Sequence, residues 1–264
     1  MLRSEKQVDA LVANWEFDPY RSFERGLADL EAQVLVSTRT KHNIRRALAA
    51  IDQSARAELL ARHQQALRSF DKFGPKKFAD FVYWAFRNVL VAEWLGLDEA
   101  DPMKILDIGM GGGGFAMVAE SMGHKVIGTD VADPWYEELC RIASVERRVQ
   151  PVVPGEPYRV SGGPFDLVTI MLPTFHRRML RNGHRQYWSV DEWAVFLRGI
   201  VRDEITLDGS IFILMPLDKH ADGTMEYSPL LDWGAARGAR LGSTLDGVPI
   251  RHLLFERAAE QLRG

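Results

Sequence analysis

Three sets of residues in this chain have types and spacings suited to chemistry. The first is the run KILDIGMGGGGFAMV, Lys104 to Val118, where apolar residues lead to Asp107 and then to five glycines. Glycines at Gly109, Gly111 and Gly113 permit positive φ angles and let a ligand approach where a Cβ would stand in the way. A helix over Phe115 to Met122 then points its N-terminal amides at that ligand. The second is Asp130, which closes KVIGTD about twenty residues further on, at the spacing from which a carboxylate reaches a ribose diol. The third is His176, followed by Arg177, Arg178, Arg181 and Arg185 with no acid among them. Imidazole titrates near neutral pH and suits a general base, and guanidinium forks suit phosphate or carboxylate. Together these sets describe an adenosine-type ligand in a glycine turn, with a proton acceptor and an anion-binding run beside it.

The glycines alone do not choose between ligands, because Gly109, Gly111 and Gly114 also spell the G-x-G-x-x-G of dinucleotide binding. Asp107 does choose. A carboxylate at a strand end pairs with an ammonium and repels a pyrophosphate. At this point the chain resembles the class I S-adenosylmethionine-dependent methyltransferases, whose first motif, apolar-Asp-apolar-Gly-x-Gly-x-Gly, stands here as LDIGMGGG, Leu106 to Gly113. The resemblance covers about Asp101 to Arg257. It implies S-adenosyl-L-methionine as cofactor, held by Asp107, Gly109, Gly111, Gly113 and Asp130. It further implies Val131 against the adenine, Glu156 on the adenine amino group, and Leu172, at the end of the fourth strand, facing the methyl donor. In amino-methylating members that strand runs into Asn- or Asp-Pro-Pro-aromatic. Here it reads Leu172-Pro173-Thr174-Phe175-His176, which counts against adenine or glutamine nitrogen and leaves hydroxyl, carboxyl, carbon and other amine acceptors open. Pro151, Pro154 and Pro157 crowd the loop that carries Glu156.

Methyl transfer from a sulfonium is an in-line displacement, so alignment and exclusion of water do much of the catalysis. A hydroxyl acceptor must also lose its proton, which gives His176 its role as candidate base. The arginine run, with Arg177, Arg178 and Arg181 as candidate acceptor-binding residues, points to an anionic acceptor: a sugar phosphate, a phosphorylated or nucleotide-linked glycan, or a carboxylated metabolite. His176 and His184 have no carboxylate partner at helical spacing, so no metal is expected. Other classes stay open. A nicotinamide-dependent oxidoreductase would want a Tyr-x-x-x-Lys pair after the fourth strand, which the chain lacks. An RNA methyltransferase is suggested by Arg39, Lys41, Arg45 and Arg46, a field tempered by Asp29, Glu31 and Asp52. A non-catalytic core that binds cofactor to stabilise a partner subunit is the third.

The elements that must position these residues are legible in outline. The first hundred residues read as a helical appendage, with apolar residues at three- and four-residue spacing. In it Gly74-Pro75 introduces an aromatic helix over Lys76 to Trp94, most of whose rings should pack onto the sheet. Asp101-Pro102 marks the boundary, so residues 1–100 form the appendage or lid and 101–264 the cofactor-binding core. In the core, strands at Lys104–Ile108, Lys125–Thr129, Gln150–Val153, Phe165–Leu172 and Ser210–Met215 alternate with helices. One helix runs from about Val190 to Ile205 behind a Ser189/Glu192 capping box. A helix near Pro229–Ala239 precedes two extended runs, Arg240–Leu245 and Pro249–Arg257, joined across Asp246-Gly247. The expected fold is therefore α/β: a Rossmann-like, doubly wound, mostly parallel sheet with a C-terminal antiparallel hairpin and an N-terminal helical appendage.

Composition sets the remaining bounds. The 264 residues, 46% of them apolar, suffice for one substantial core, and a net charge of −3 gives no broad basic face for nucleic acid. A single cysteine, Cys140, excludes an internal disulfide and fits a reducing, cytoplasmic setting, its own role being that of a small buried apolar residue. The most apolar window, Phe78 to Leu97, is too polar to span a bilayer, and Met1 to Ala10 lacks the apolar segment of a secretion signal.

Overall fold

The computed structural model describes residues 15, 17–33, 36–64, 75–173, 175–179, 185–215, 227–242 and 252–263. Its centre is a seven-stranded sheet in the order β3-β2-β1-β4-β7-β9-β8. These strands are β1 (Lys104–Ile108), β2 (Lys125–Asp130), β3 (Arg147–Val149), β4 (Phe165–Met171), β7 (Ile205–Leu214), β8 (Arg240–Gly242) and β9 (His252–Phe255). The first five run parallel, and β9 pairs antiparallel with both β7 and β8. Five parallel strands followed by an antiparallel pair is the Rossmann-like, mostly parallel sheet that the sequence implied. The Asp246-Gly247 turn of the expected hairpin lies outside the described residues.

Strand alternation splits the core into two layers. Leu106, Ile108, Val168, Ile170, Ile211 and Ile213 point to one face, where helices α7 (Val190–Asp203), α8 (Ser228–Ala235) and α9 (Ala258–Leu262) cover them. Ile105, Leu167, Phe212 and Leu254 point to the other. That face is covered by α5 (Gly114–Ser121) and α6 (Pro134–Ile142), and also by the N-terminal helices α1 (Phe23–Gln33), α2 (Thr38–Ala49), α3 (Gln53–Arg62) and α4 (Phe81–Trp94). The helical segment thus shares a continuous apolar core with the sheet. His124 ties the connection between them: its Nδ1 accepts the Met103 N–H at 3.1 Å, which leaves Nε2 protonated to donate to Leu97 O at 2.7 Å. No helix among the described residues is long and apolar enough to cross a membrane.

Several boundaries differ from expectation for local reasons. The third strand is Arg147–Val149 rather than Gln150–Val153, because the Gln150 N–H makes the last bond to Asp130 O and Pro151 has no N–H to continue the ladder. The aromatic helix starts at Phe81 rather than Lys76: Asp80 caps it by accepting the Tyr83 N–H, and Pro75–Ala79 forms a separate 3-10 turn. Ser189 and Glu192 do form the capping box of α7, but the helix ends at Asp203 and Ile205 already belongs to β7, paired with Phe165.

Candidate functional site

The sheet fixes which residues meet at the glycine turn. Asp107, one step from the end of β1, alternates to the α4-covered face and pairs in register with Thr169 of β4. Thr169 Oγ1 donates to Asp107 Oδ1 at 2.8 Å, while Asp107 Oδ2 is buried with no hydrogen-bond partner among the described residues. Asp107 is 1% exposed. Burial pushes its carboxyl up to about 7, against the Thr169 hydrogen bond, which lowers it, and with the charge of Asp130, which raises it further.

The turn itself is built on Asp130. Its Oδ2 accepts the Gly111 N–H and its Oδ1 the Val131 N–H, both at 2.7 Å, so the carboxylate shapes the loop that it also lines. Each oxygen keeps a further lone pair for a ligand hydroxyl. Gly109 and Gly111 have φ of 76° and 54°, and nothing stands within 4 Å of the Cβ either would carry. Both line the cavity described below. Gly113 does a different job. It is the N-cap of α5 with φ 77°, it does not line the cavity, and a Cβ there would meet Val145 Cγ2 at 2.6 Å.

Over this turn lies a cavity of about 670 Å³. From the sequence-derived set it is lined by Asp107, Gly109, Gly111, Asp130, Val131 and Leu172. Glu156 is exposed and outside the lining, and Gln150 and Val152 from the same loop stand there. The early end of β3 at Val149 brings these two residues to the cavity and carries Glu156 past it.

Beyond β4 the chain turns sharply. Leu172 adopts φ 51°, a left-handed conformation that side-chain-bearing residues rarely hold, and its N–H bonds to Leu214 O at 2.7 Å. Tyr227 donates to Pro173 O at 2.8 Å, and Phe175 lies against Trp188 and Trp193 with centroid distances of 4.8 and 5.2 Å. A strained residue so braced on both sides is the kind that collects at functional sites. His176, Arg177 and Arg178 follow in β5 (His176–Met179), which pairs antiparallel with β6 (Arg185–Tyr187), so the arginine run opens as a strand. The side chains of His176, Arg177 and Arg178 lie outside the described residues, as does the whole of Arg181.

Part of the lining carries no local motif. Phe81, Trp84, Asn88 and Val91 recur at helical spacing on α4 and turn toward the cavity together with Arg87. Burial alone would not distinguish them from the packing aromatics Tyr83 and Phe86. Cys140 is buried on α6, its thiol pushed up to about 12 by burial, and Sγ lies 3.4 Å from Gly111 O, so it packs beneath the turn.

No protein-family model matches this chain, and no protein of curated function matches it. Solved structures similar to it include three of named type. A ribosomal protein L11 methylase from Lactobacillus delbrueckii subsp. bulgaricus is 16% identical over 65% of this chain and 78% of its own, with a TM-score of 0.42. A TehB-like SAM-dependent methyltransferase from Corynebacterium glutamicum is 17% identical over 77% and 98%, with a TM-score of 0.41. An O-methyltransferase family protein from Burkholderia thailandensis is 14% identical over 81% and 72%, with a TM-score of 0.42.

Proposed function

We propose that this chain is an S-adenosylmethionine-dependent methyltransferase acting on a small-molecule or glycan acceptor, on an oxygen of an anionic substrate. The observation that carries this reading is Asp107 Oδ2, a buried acceptor without a donor among the described residues, at the wall of a cavity. Leaving such a group unpaired costs about 1–3 kcal/mol. An ammonium supplies the missing donor and the missing charge, and a pyrophosphate supplies neither.

The residues present fit the cofactor at each of its parts. Asp107 would take the amino group, the open backbone at Gly109 and Gly111 would allow close approach, and Asp130 with Val131, Gln150 and Val152 would face the adenosine. When bound there, S-adenosylmethionine would supply an activated methyl group to an acceptor oxygen. The chain's own part is alignment and dryness. Phe81, Leu172 and Phe175 wall the cavity with apolar surface, and α4 forms a roof that selects the acceptor. His176 is the proposed base for the hydroxyl proton, and Arg177, Arg178 and Arg181 the proposed anion contacts.

Calorimetric titration with S-adenosylmethionine, S-adenosylhomocysteine and NADH tests the assignment. Micromolar binding of the two sulfur ligands is expected, weakened about tenfold or more by Asp107→Asn, the scale of one charge-assisted hydrogen bond. Binding of NADH alone overturns it.

A further inference from the structure

Asp107 answers one charge of the cofactor's amino-acid end, and the other charge sits on the same carbon. An ammonium drawn to the buried Asp107 brings a carboxylate with it, and an anion placed beside a second anion needs donors of its own. Two kinds of donor stand at the cavity wall. One is the start of α5, where Gly112, Gly114 and Phe115 line the cavity and the N-cap Gly113 has no side chain to occupy the first amides. The other is Asn88, which comes from α4. Its Nδ2 stands 2.7 Å from where a Gly114 Cβ would be, with Trp84 Cβ 3.6 Å from the same point. Gly114 does not share the positive φ of Gly113, so what a side chain there would obstruct is the approach of α4. Asn88 is half-buried, lines the cavity and makes no hydrogen bond among the described residues. The cations from the same segment are engaged within the protein, Lys77 over the Phe78 and Trp84 rings and Arg87 beside Trp84.

We infer that Asn88, together with the first amides of α5, binds the carboxylate of the cofactor's amino-acid end, so that the N-terminal helices complete the cofactor site. The inference rests on the methyltransferase reading and extends it to a residue of α4. The amides of a helix start and a side-chain NH2 have the same preference, since both donate, and the helix dipole adds to them. An uncharged amide also suits this place better than a cation. A lysine or arginine aimed at the same spot would pair with the buried Asp107 and close the site before the ligand arrives. Asn88 can donate to the ligand's carboxylate while leaving Asp107 open to its ammonium.

The test is calorimetric titration of the full chain with four ligands: S-adenosylmethionine, S-adenosylhomocysteine, decarboxylated S-adenosylmethionine, and methylthioadenosine, which lacks both charges of the amino-acid end. The unaltered protein should bind S-adenosylmethionine about tenfold or more tighter than its decarboxylated analogue, the scale of a hydrogen bond to a charged group. Asn88→Ala should weaken the two carboxylated ligands about tenfold and leave the other two unchanged. Asn88→Asp sets a like charge against the carboxylate and should weaken those two further, again sparing the analogues without it. Gly114→Ala reaches the same contact from the other side. Alanine suits a helix start, and the nearest atom in its way is the end of the Asn88 side chain, so the same ligand pattern is expected with little change in Tm. Equal losses for all four ligands, no loss for any, or a rise in acceptor KM with cofactor Kd unchanged overturns the inference and leaves the cofactor assignment standing. Equal affinity of the unaltered protein for S-adenosylmethionine and its decarboxylated analogue does the same, whether or not the variants fold. Failure of all four ligands to bind overturns both readings.

Discussion

Thr169 Oγ1 donates to Asp107 Oδ1 at 2.8 Å from the register position directly opposite on the neighbouring strand. The threonine thereby holds one oxygen of a buried carboxylate and leaves the other at the cavity. It also opposes the burial that pushes the Asp107 carboxyl up to about 7.

A pH dependence follows. Below about 7 Asp107 is mostly protonated and pairs poorly with an ammonium, so S-adenosylmethionine affinity should rise up to about tenfold per pH unit toward 7 and level off above it. Thr169→Val removes a hydrogen bond that favours the charged form, so the levelling point should move to higher pH, which titration from pH 5.5 to 9 would detect. An unmoved profile would show that Asp107 does not titrate with binding. For the protein without ligand the sign is opposite. The folded carboxyl titrates above its unfolded value of about 3.9, so the stability it contributes is full below pH 4 and is lost as pH rises to about 7.

The two kinds of turn glycine should separate in their effects. Gly113→Ala forces a left-handed backbone and a Cβ 2.6 Å from Val145 Cγ2, and should cost about 1–3 kcal/mol of stability, read as a fall in Tm. Gly111→Ala meets open space, so its stability cost should stay near the low end of that range while cofactor affinity drops more. Equal losses of affinity in both would argue against a ligand over Gly111.

Asp80 should matter to the acceptor without touching it. Buried at 2% exposure, it accepts from Trp15 Nε1 at 2.9 Å, the Asp18 N–H at 3.2 Å and the Tyr83 N–H at 3.3 Å. Burial holds its carboxyl above the usual range, and these donors pull it back. Asp80→Ala uncaps α4 and orphans the indole, at about 2 kcal/mol or more in chemical denaturation. Because α4 carries Phe81, Trp84 and Arg87, acceptor KM should rise with it, and an unchanged KM would detach the roof from selection.

His176→Gln should slow turnover by about 10² or more with cofactor Kd unchanged, the usual scale of a lost base. Turnover at the parent rate on the preferred acceptor removes His176 from the mechanism.

Short-range signals carried much of this architecture. Asp107, the turn glycines and Asp130 are adjacent or nearly so in the chain, and their spacing reflects backbone angles and strand ends that local sequence controls. The five parallel strands, the capping box at Ser189 and Glu192, and the antiparallel pair were likewise readable, since each depends on periodicity or on a side chain bonding its own backbone. Boundaries shifted where a single group intervened: Pro151 ended β3, and Asp80 delayed α4. What only the tertiary structure decided were the meetings at long range. Thr169 reaches Asp107 across 62 residues because β4 lies beside β1, and Arg87 and Trp84 join the cavity because α4 crosses the strand ends. No local pattern separates Trp84 from its core neighbours, for burial selects apolar residues alike whether they face a sheet or a ligand.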